Sequence, residues 1–229
     1  MTAAVRSKVE VPALVEMRRA QIVAAAIELF GSQGYHVTTM REVAQRARVS
    51  VGLIYQYVED KEDVLFLALV EVMESFKRAL PEALAGRTDP LDRFCAAVRA
   101  YCSIVDRKVD ATVLAYAETK SLRRERRDLI KRMEVQTNAL IAACIDDCQL
   151  AGSFAPIDVD MLTDQIMMVA HAWALKAWRL RKRMSLDEYV ARGLALMLQP
   201  VLTPAGQRQF DKVCANRGAT AKARRRPRA

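Results

Sequence analysis

Two helix-start signals lie close together near the N-terminus, and they constrain the fold of this chain more than any other feature does. The first is the tetrapeptide TMRE at residues 39–42, a capping box in which Thr39 and Glu42 can satisfy each other's backbone amides. The second is Ser50, whose hydroxyl can cap a helix that begins at Val51. Only residues 48–50 separate the two helices, so the sequence predicts a pair of short helices joined by a tight turn.

The rest of the chain has the pattern of an all-α protein. Apolar residues make up 52 % of the chain, whereas glycine and proline number 8 and 7, which favours helices over a turn-rich β fold. Apolar residues at helical spacing predict a helix at 14–33, before the short pair. Longer helices are predicted after the short pair, at about 60–84, 90–106, 111–122, 125–150, 158–183 and 186–202.

These elements divide the chain into four segments. We expect a flexible N-terminal arm at 1–13, a three-helix helix-turn-helix domain at 14–60, a larger helical domain at 61–203, and a short helix with a disordered tail at 204–229. The last thirteen residues carry six lysines and arginines and no acid, so the net charge of +9 falls to +3 without them. The tail is therefore expected to add general attraction to phosphate or simply to aid solubility.

The residue types around the second short helix suit a helix that enters the major groove of double-stranded DNA, which is about 12 Å wide. Hydroxyls at helix N-termini, phenols and ammonium groups contact phosphates, and a glycine lets the helix approach the DNA backbone. We assign backbone contacts to Thr39, Ser50, Gly52, Tyr55, Tyr57 and Lys61. We assign base contacts to Arg41 and Gln56 through hydrogen bonds, and to Val51 and Leu53 through thymine methyl groups.

The stretch ELFGSQGYHVTTMREVAQRARVSVGLIYQYVEDKEDVL, residues 28–65, resembles the DNA-binding domain of the TetR-type (TetR/AcrR) bacterial repressors. The matching positions are Phe30, Gly34, Thr38, Thr39, Glu42, Val43, Ala44, Ala47, Val49, Ser50, Gly52, Ile54, Tyr55, Tyr57, Lys61 and Glu62. The resemblance covers about residues 16–76, and it implies that the domain at 61–203 binds a ligand and dimerises.

Two residues depart from the family pattern. Arg48 stands where the family usually has glycine, so either a positive φ there costs about 1 kcal/mol or the turn differs slightly from the family's. We expect a phosphate contact by Arg48 to offset that strain. Leu53 stands where threonine is common, so the family's operator preference does not transfer to this chain.

The resemblance also implies a homodimer through the last two long helices, 158–183 and 185–202, and a small-molecule effector. The alternative for these helices is that their apolar residues pack only within one subunit. Candidate effector contacts between the 60–84 helix and the later ones are aromatic, methionine and polar residues at helical spacing, which an ordinary core would also contain. They are Met73, Phe76, Phe94, Tyr101, Tyr116, Met133, Asn138, His171, Trp173 and Trp178.

Basic residues cluster in segment 116–136, and segment 177–189 loosely resembles the C-terminal part of TetR-type regulators that respond to acyl-CoA thioesters. An acyl-CoA needs cations for its phosphates, and for these we propose Arg123, Arg124 and Arg127. The alternative is an arginine-rich helix face that is simply solvated.

Other functions find little support in the sequence. The chain has no GxSxG, HExxH, P-loop or dinucleotide motif, so we expect neither an enzyme nor a cofactor or metal site. Its five cysteines contain no CxxC pair, which indicates buried reduced thiols in a cytoplasmic protein, and no apolar run predicts a signal peptide or membrane span. We expect a repressor of a palindromic operator, released by a small molecule. The basic tail leaves an architectural DNA-coating protein as an alternative.

Overall fold

A computed structural model describes residues 5–224, with side chains from residue 5 to residue 214. Over those residues the chain is all-α, as predicted, with α1 (Pro12–Gln33), α2 (Met40–Arg46), α3 (Val51–Ile54), α4 (Lys61–Leu84), α5 (Pro90–Arg107), α6 (Val109–Glu118), α7 (Arg124–Leu150), α8 (Val159–Leu175), α9 (Ala177–Leu180), α10 (Leu186–Leu198) and α11 (Pro204–Arg224). A 3-10 turn, Thr119–Ser121, lies between α6 and α7.

The helices form two compact units. Unit 1 contains the chain up to Ser75 together with Lys108–Glu134, and unit 2 contains Phe76–Arg107 together with the chain from Val135 onward. The sequence placed the boundary between the two helical domains at residue 60, whereas unit 1 continues to Ser75 and takes in Lys108–Glu134. This differs because α1 packs on α6 as well as on α2. The extent of unit 1 therefore cannot be read from the helix-turn-helix motif alone.

The predicted caps are present in unit 1. The Thr39 amide donates to Glu42 Oε2 at 2.7 Å, and the Glu42 amide donates to Thr39 Oγ1 at 3.3 Å. Ser50 Oγ accepts from the Leu53 amide at 3.1 Å. Behind these short helices lies a core of buried side chains from α1, α2, α3 and α4, namely Ile22, Ala26, Phe30, Val43, Ala44, Ile54, Val64, Leu65, Ala68 and Leu69.

Unit 2 is built around α5, which packs on α8, α10 and α11. Phe76 stacks on Tyr101 with ring centroids 4.1 Å apart. Tyr189 of α10 donates from its hydroxyl to the Val169 carbonyl of α8 at 2.7 Å, so these two helices pack within one subunit along that face. The C-terminal helix is seated closely, because a Cβ on Gly206 would overlap the backbone of Ser153.

Outside the helix-turn-helix motif, three predicted segments differ most in the structure. The helix predicted at 158–183 is interrupted at Lys176, whose φ and ψ are −117° and 24°. Just beyond that break, Arg181 Nη2 donates to the Asp106 carboxylate at 2.7 Å, a tertiary contact that a continuous helical pattern does not reveal. The short helix predicted after 204 is instead α11, which reaches Arg224 and takes in part of the predicted disordered tail. Residues 225–229 of that tail lie outside the described residues.

The third difference is at the N-terminus. Residues 1–13 were expected to be flexible, but Val5 is buried in the core of unit 1 and the Lys8 amide donates to the Gln56 carbonyl at 2.8 Å. Residues 1–4 lie outside the described residues.

Candidate nucleic-acid interface

The turn between α2 and α3 has the strained geometry that was one of the two alternatives for Arg48. Arg48 has φ 56°, and among residues 5–224 it is the only non-glycine residue with a positive φ. The turn is held by backbone bonds, in which the Val49 amide donates to the Ala44 carbonyl at 3.0 Å. It is held from α1 by Gln21, whose Nε2 donates to the Ala47 carbonyl at 2.7 Å. These contacts offset the strain at Arg48, so the strain does not require a DNA contact.

Most of the residues assigned to DNA lie on the outside of this motif. Thr39, Arg41, Arg48, Ser50, Gly52, Tyr55 and Gln56 are exposed, and Val51 and Leu53 are half-buried. A Cβ on Gly52 would meet no atom of the described chain within 4 Å. Packing within the chain therefore does not require glycine at this position, which fits a close approach by an external surface.

The prediction that the Tyr57 side chain faces outward is wrong. The residue is only 3 % exposed and belongs to the core of unit 1. The helix expected to continue to Tyr57 ends at Ile54, and the turn that follows directs the ring inward.

Lys61 occupies the first position of α4, and its ammonium group is bound within the chain. Its Nζ donates to the carbonyl oxygens of Tyr35, His36 and Thr38 at 2.9, 3.1 and 3.0 Å. An ammonium has three N–H groups, so these three carbonyls can accept all of them. Lys61 therefore holds the loop that leads into α2, and its contact with a phosphate stays a prediction.

An ion-pair cluster, which we call the α4–α7 clasp, joins the first turn of α4 to the start of α7. Arg123 contacts Asp60 at 2.7 Å (Nη2 to Oδ2) and Glu62 at 3.0 Å (Nε to Oε2). Arg126 pairs with Asp63 and lies 3.4 Å from Glu62 (Nη1 to Oε1). The carboxylates of Glu62 and Asp60 raise the pKa of the Arg123 guanidinium. The acidic run at 60–63 and the basic run at 123–127 are visible in the sequence, but nothing local indicates that they meet.

The predicted effector residues of unit 1 do not form one group. Met133 is buried in the core of this unit and Met73 packs against it. Both therefore fit the alternative given above, in which these residues belong to an ordinary hydrophobic core. Tyr116 is 47 % exposed. Arg123 is held in the clasp, Arg124 Nε lies 3.9 Å from Asp128 Oδ2, and Arg127 is half-buried.

In unit 2, three of the predicted effector residues come together. Phe76 stacks on Tyr101, and the Tyr101 hydroxyl lies 2.8 Å from His171 Nε2. Burial lowers the pKa of His171 to about 4, so at neutral pH the ring nitrogen can accept the phenolic proton. Asn138 Oδ1 is buried and has no hydrogen-bond partner among the described residues.

The other predicted residues of unit 2 have separate surroundings. Phe94 is buried and meets Phe154 edge-on, with centroids 5.5 Å apart. Trp173 Nε1 donates to Asp106 Oδ1 at 2.7 Å. Trp178 is 69 % exposed, so the prediction that it lines a cavity is wrong, because the helix break at Lys176 places it outside the core.

Among the side chains that the structure describes, residues 5–214, no group of three potential metal-binding residues is present. Within residues 5–224, the helices are too short or too polar to cross a membrane. Four of the five cysteines are buried, and Cys214 is half-buried.

Comparison with known proteins identifies the family. The model described as bacterial regulatory proteins, tetR family, matches residues 22–68, and the model of the tetracyclin repressor-like C-terminal domain matches residues 87–193. The HTH-type transcriptional regulator HbdR of Aromatoleum sp. (strain CIB) is 49 % identical over 209 residues, which is 91 % of each chain.

Solved structures agree in fold. A tetR-family regulatory protein from Rhodococcus RHA1 has a TM-score of 0.73 at 26 % identity, over 80 % of this chain and 95 % of that one. AibR, solved with isovaleryl coenzyme A and operator DNA, has a TM-score of 0.69 at 19 % identity, over 78 % of this chain and 97 % of its own, which shows the fold alone. The chain therefore belongs to the TetR family of bacterial regulators, and it is a transcriptional regulator rather than an enzyme.

Proposed function

We propose that the protein is a dimeric repressor in the cytoplasm, which binds a palindromic operator and leaves it when a small molecule binds. The observation that carries the DNA-binding part is the exposed surface of α2, the turn and α3, which presents Arg41, Arg48, Tyr55 and Gln56 in front of a buried core. In a two-fold dimer, the two α3 helices would enter half-sites about 34–36 Å apart or a multiple of that distance.

The DNA roles are tested by two substitutions with a matched control. Gln56→Ala and Arg41→Ala each remove a proposed base contact, so each should relax preference at one operator position by about 1–3 kcal/mol. Arg132→Ala, on the exposed part of α7, is the control and should leave that preference unchanged. A wild-type protein that binds operator and random DNA equally would indicate an architectural protein instead, since a regulator should discriminate by about 10³-fold or more.

For the dimer we propose the outward faces of α8 and α10. Met161 and Met168, seven residues apart on α8, are 58 % and 52 % exposed, and Leu196 on α10 is 77 % exposed. Large apolar side chains on one helix face are stabilised when a partner removes them from water. Light scattering should find a dimer for the wild type and a monomer for Met168→Glu combined with Leu196→Glu. Leu150→Glu, also at an exposed leucine, should remain dimeric, and a dimeric double variant would contradict the assignment.

For the effector we propose an acyl-CoA whose phosphates contact Arg123, Arg124 and Arg127, with no other cofactor. AibR, which shares the fold, was solved with an acyl-CoA, and this supports the choice of ligand class. Because Asp60 and Glu62 already hold Arg123, the phosphates would have to compete with these carboxylates for the guanidinium. Success in that competition would release Asp60 and Glu62 at the start of α4. A ligand that binds the released conformation better would shift the protein from DNA.

The effector proposal is tested by titrating saturated, aromatic and steroid-derived CoA esters against the operator complex. At least one ester should change operator affinity tenfold or more, about 1.4 kcal/mol of coupling, and the free acid should act much less. Arg124→Ala combined with Arg127→Ala should weaken the response, whereas Arg132→Ala should not. A response to an uncharged hydrophobic compound and to no CoA ester would contradict the proposal, and would favour the buried Tyr101 and His171 pair of unit 2 as the effector site.

A further inference from the structure

Residues 5–11, the described part of the N-terminal arm that precedes α1, are attached beside the end of α3. The Lys8 amide donates to the carbonyl oxygen of Gln56 at 2.8 Å. The Ser7 hydroxyl lies 3.2 Å from the same oxygen and 3.1 Å from the Val9 carbonyl oxygen, so its single proton is shared between the two acceptors. Gln56 follows the end of α3 by two residues, and its side chain is exposed. The arm backbone therefore lies along the C-terminal edge of the surface assigned to DNA.

Arg19 of α1 joins the same two segments from the core side. Its Nη2 donates to the Val5 carbonyl at 2.7 Å, and its Nε donates to the Tyr57 carbonyl at 3.0 Å. Val5 is 4 % exposed and belongs to the core of unit 1, and Val9 packs against that core. The arm is thus anchored at Val5, at residues 7 and 8, and at Val9.

Two cations lie within this anchored stretch. The side chains of Arg6 and Lys8 are exposed, while the backbone on either side of them is held. The acid of the arm, Glu10, is also exposed and lies beyond the anchors toward α1. A cation on a held backbone loses less conformational freedom on binding than a cation on a free chain does. We propose that the arm is a second DNA-contacting element, in which Arg6 and Lys8 neutralise phosphates next to the groove that α3 enters.

The reason for this assignment is the position of the arm beside the end of α3. A helix seated in the major groove has a phosphate backbone along its edges, so basic groups attached to the end of that helix meet phosphates rather than base edges. Such contacts add affinity and salt dependence without reading sequence. The inference rests on α3 entering the major groove, as proposed above.

The test is the salt dependence of DNA binding by the full chain. Arg6→Ala combined with Lys8→Ala keeps the backbone anchors and removes two charges, so the slope of log affinity against log salt should shrink by about 1.8. Affinity at moderate salt should fall at least tenfold, by the same factor for operator and random DNA. The melting temperature should not change, because both side chains are exposed.

The matched control is Arg179→Ala combined with Lys182→Ala, two exposed cations of unit 2, which lowers the net charge equally. A slope for the arm variant equal to that of the control would overturn the inference. Ser7→Ala removes an anchor and no charge, so it should weaken DNA binding about two- to fivefold and leave the salt slope unchanged. A Ser7→Ala variant that binds DNA as tightly as the wild type would overturn the role of anchoring. The same titrations measure how well the wild type discriminates operator from random DNA. If the wild type discriminates and only the arm variant fails the test, this inference is wrong; if the wild type does not discriminate, the proposed function is wrong.

Discussion

Replacing Arg126 with methionine is expected to destabilise the protein and to weaken operator binding. The Arg126 side chain is 13 % exposed and pairs with Asp63, whose side chain is 1 % exposed. The guanidinium carbon also lies 5.3 Å from the centroid of the Phe66 ring. Methionine keeps the apolar stem of the arginine but removes the charge, so the buried Asp63 carboxylate would lose its ion-pair partner and keep only the electrostatic attraction of the neighbouring cations, such as the buried Arg19.

The expected magnitude follows from that burial. Removing one partner of a buried ion pair costs about 3–5 kcal/mol, because the other charge is left uncompensated. Asp63 would keep the hydrogen bond from the Glu59 amide at 2.6 Å, and it lies in the first turn of α4, where the helix dipole favours a negative charge. We therefore expect the lower end of the range, about 3 kcal/mol. Adding Asp63→Asn to Arg126→Met should restore only about 1 kcal/mol, since the buried carboxylate becomes neutral but the buried Arg19 loses the attraction of Asp63.

The assay is urea unfolding of the wild type, both single variants and the double variant at one protein concentration. The four free energies of unfolding give the coupling between the two side chains directly. Arg124→Met is the control on the same helix; its side chain is 87 % exposed, so it should cost less than about 0.5 kcal/mol. Additive effects of the two single substitutions, or equal costs for Arg126→Met and Arg124→Met, would refute the reasoning.

Three further perturbations have defined outcomes. Gly52→Ala should leave stability equal or raise it by up to about 1 kcal/mol, because alanine favours helix and a Cβ meets nothing in the described chain. Its operator affinity, measured by fluorescence anisotropy, should nevertheless fall at least tenfold, and unchanged affinity would argue against close approach of α3 to DNA. Lys61→Ala should cost about 2 kcal/mol in thermal unfolding, since three carbonyls lose a charged donor; an unchanged melting temperature with a salt slope smaller by about one would assign Lys61 to a phosphate instead. The pKa of His171 is lowered to about 4 in the folded protein, from 6.5 when unfolded, so the unfolded state binds the proton first. Stability should then fall by up to about 3 kcal/mol as the pH drops from about 6.5 to about 4, and a pH dependence as steep in His171→Gln would contradict this origin.

Several features of the fold and of the candidate site could be predicted because they depend on residues close together in the chain. The Thr39 and Glu42 capping box and the Ser50 cap join groups three residues apart, and both are formed as expected. The positive φ of Arg48 was one of two alternatives that followed from its place in a turn that usually has glycine. Helical spacing of apolar residues was likewise enough to predict the all-α fold and most of its long helices.

Contacts between distant segments decided the rest. Tyr57 and Tyr55 look alike in the sequence, yet the end of α3 at Ile54 buries one and leaves the other exposed. Lys61 reads as a free cation, but the chain path brings three carbonyls to it from 23 to 26 residues away. Arg123 finds its carboxylates more than 60 residues away, so a basic run that suggested a ligand site is already partly neutralised.

The physical reason for this division is the range of the interactions. Caps, turns and amphipathic periodicity arise from backbone geometry and side chains within about one helical turn, so the sequence by itself determined the helices and the helix-turn-helix motif. The pairing of charges and the burial of side chains depend on which segments meet after the chain has folded. Only the tertiary structure therefore decided that Lys61, Arg123 and the N-terminal arm are held within unit 1 rather than free in solvent.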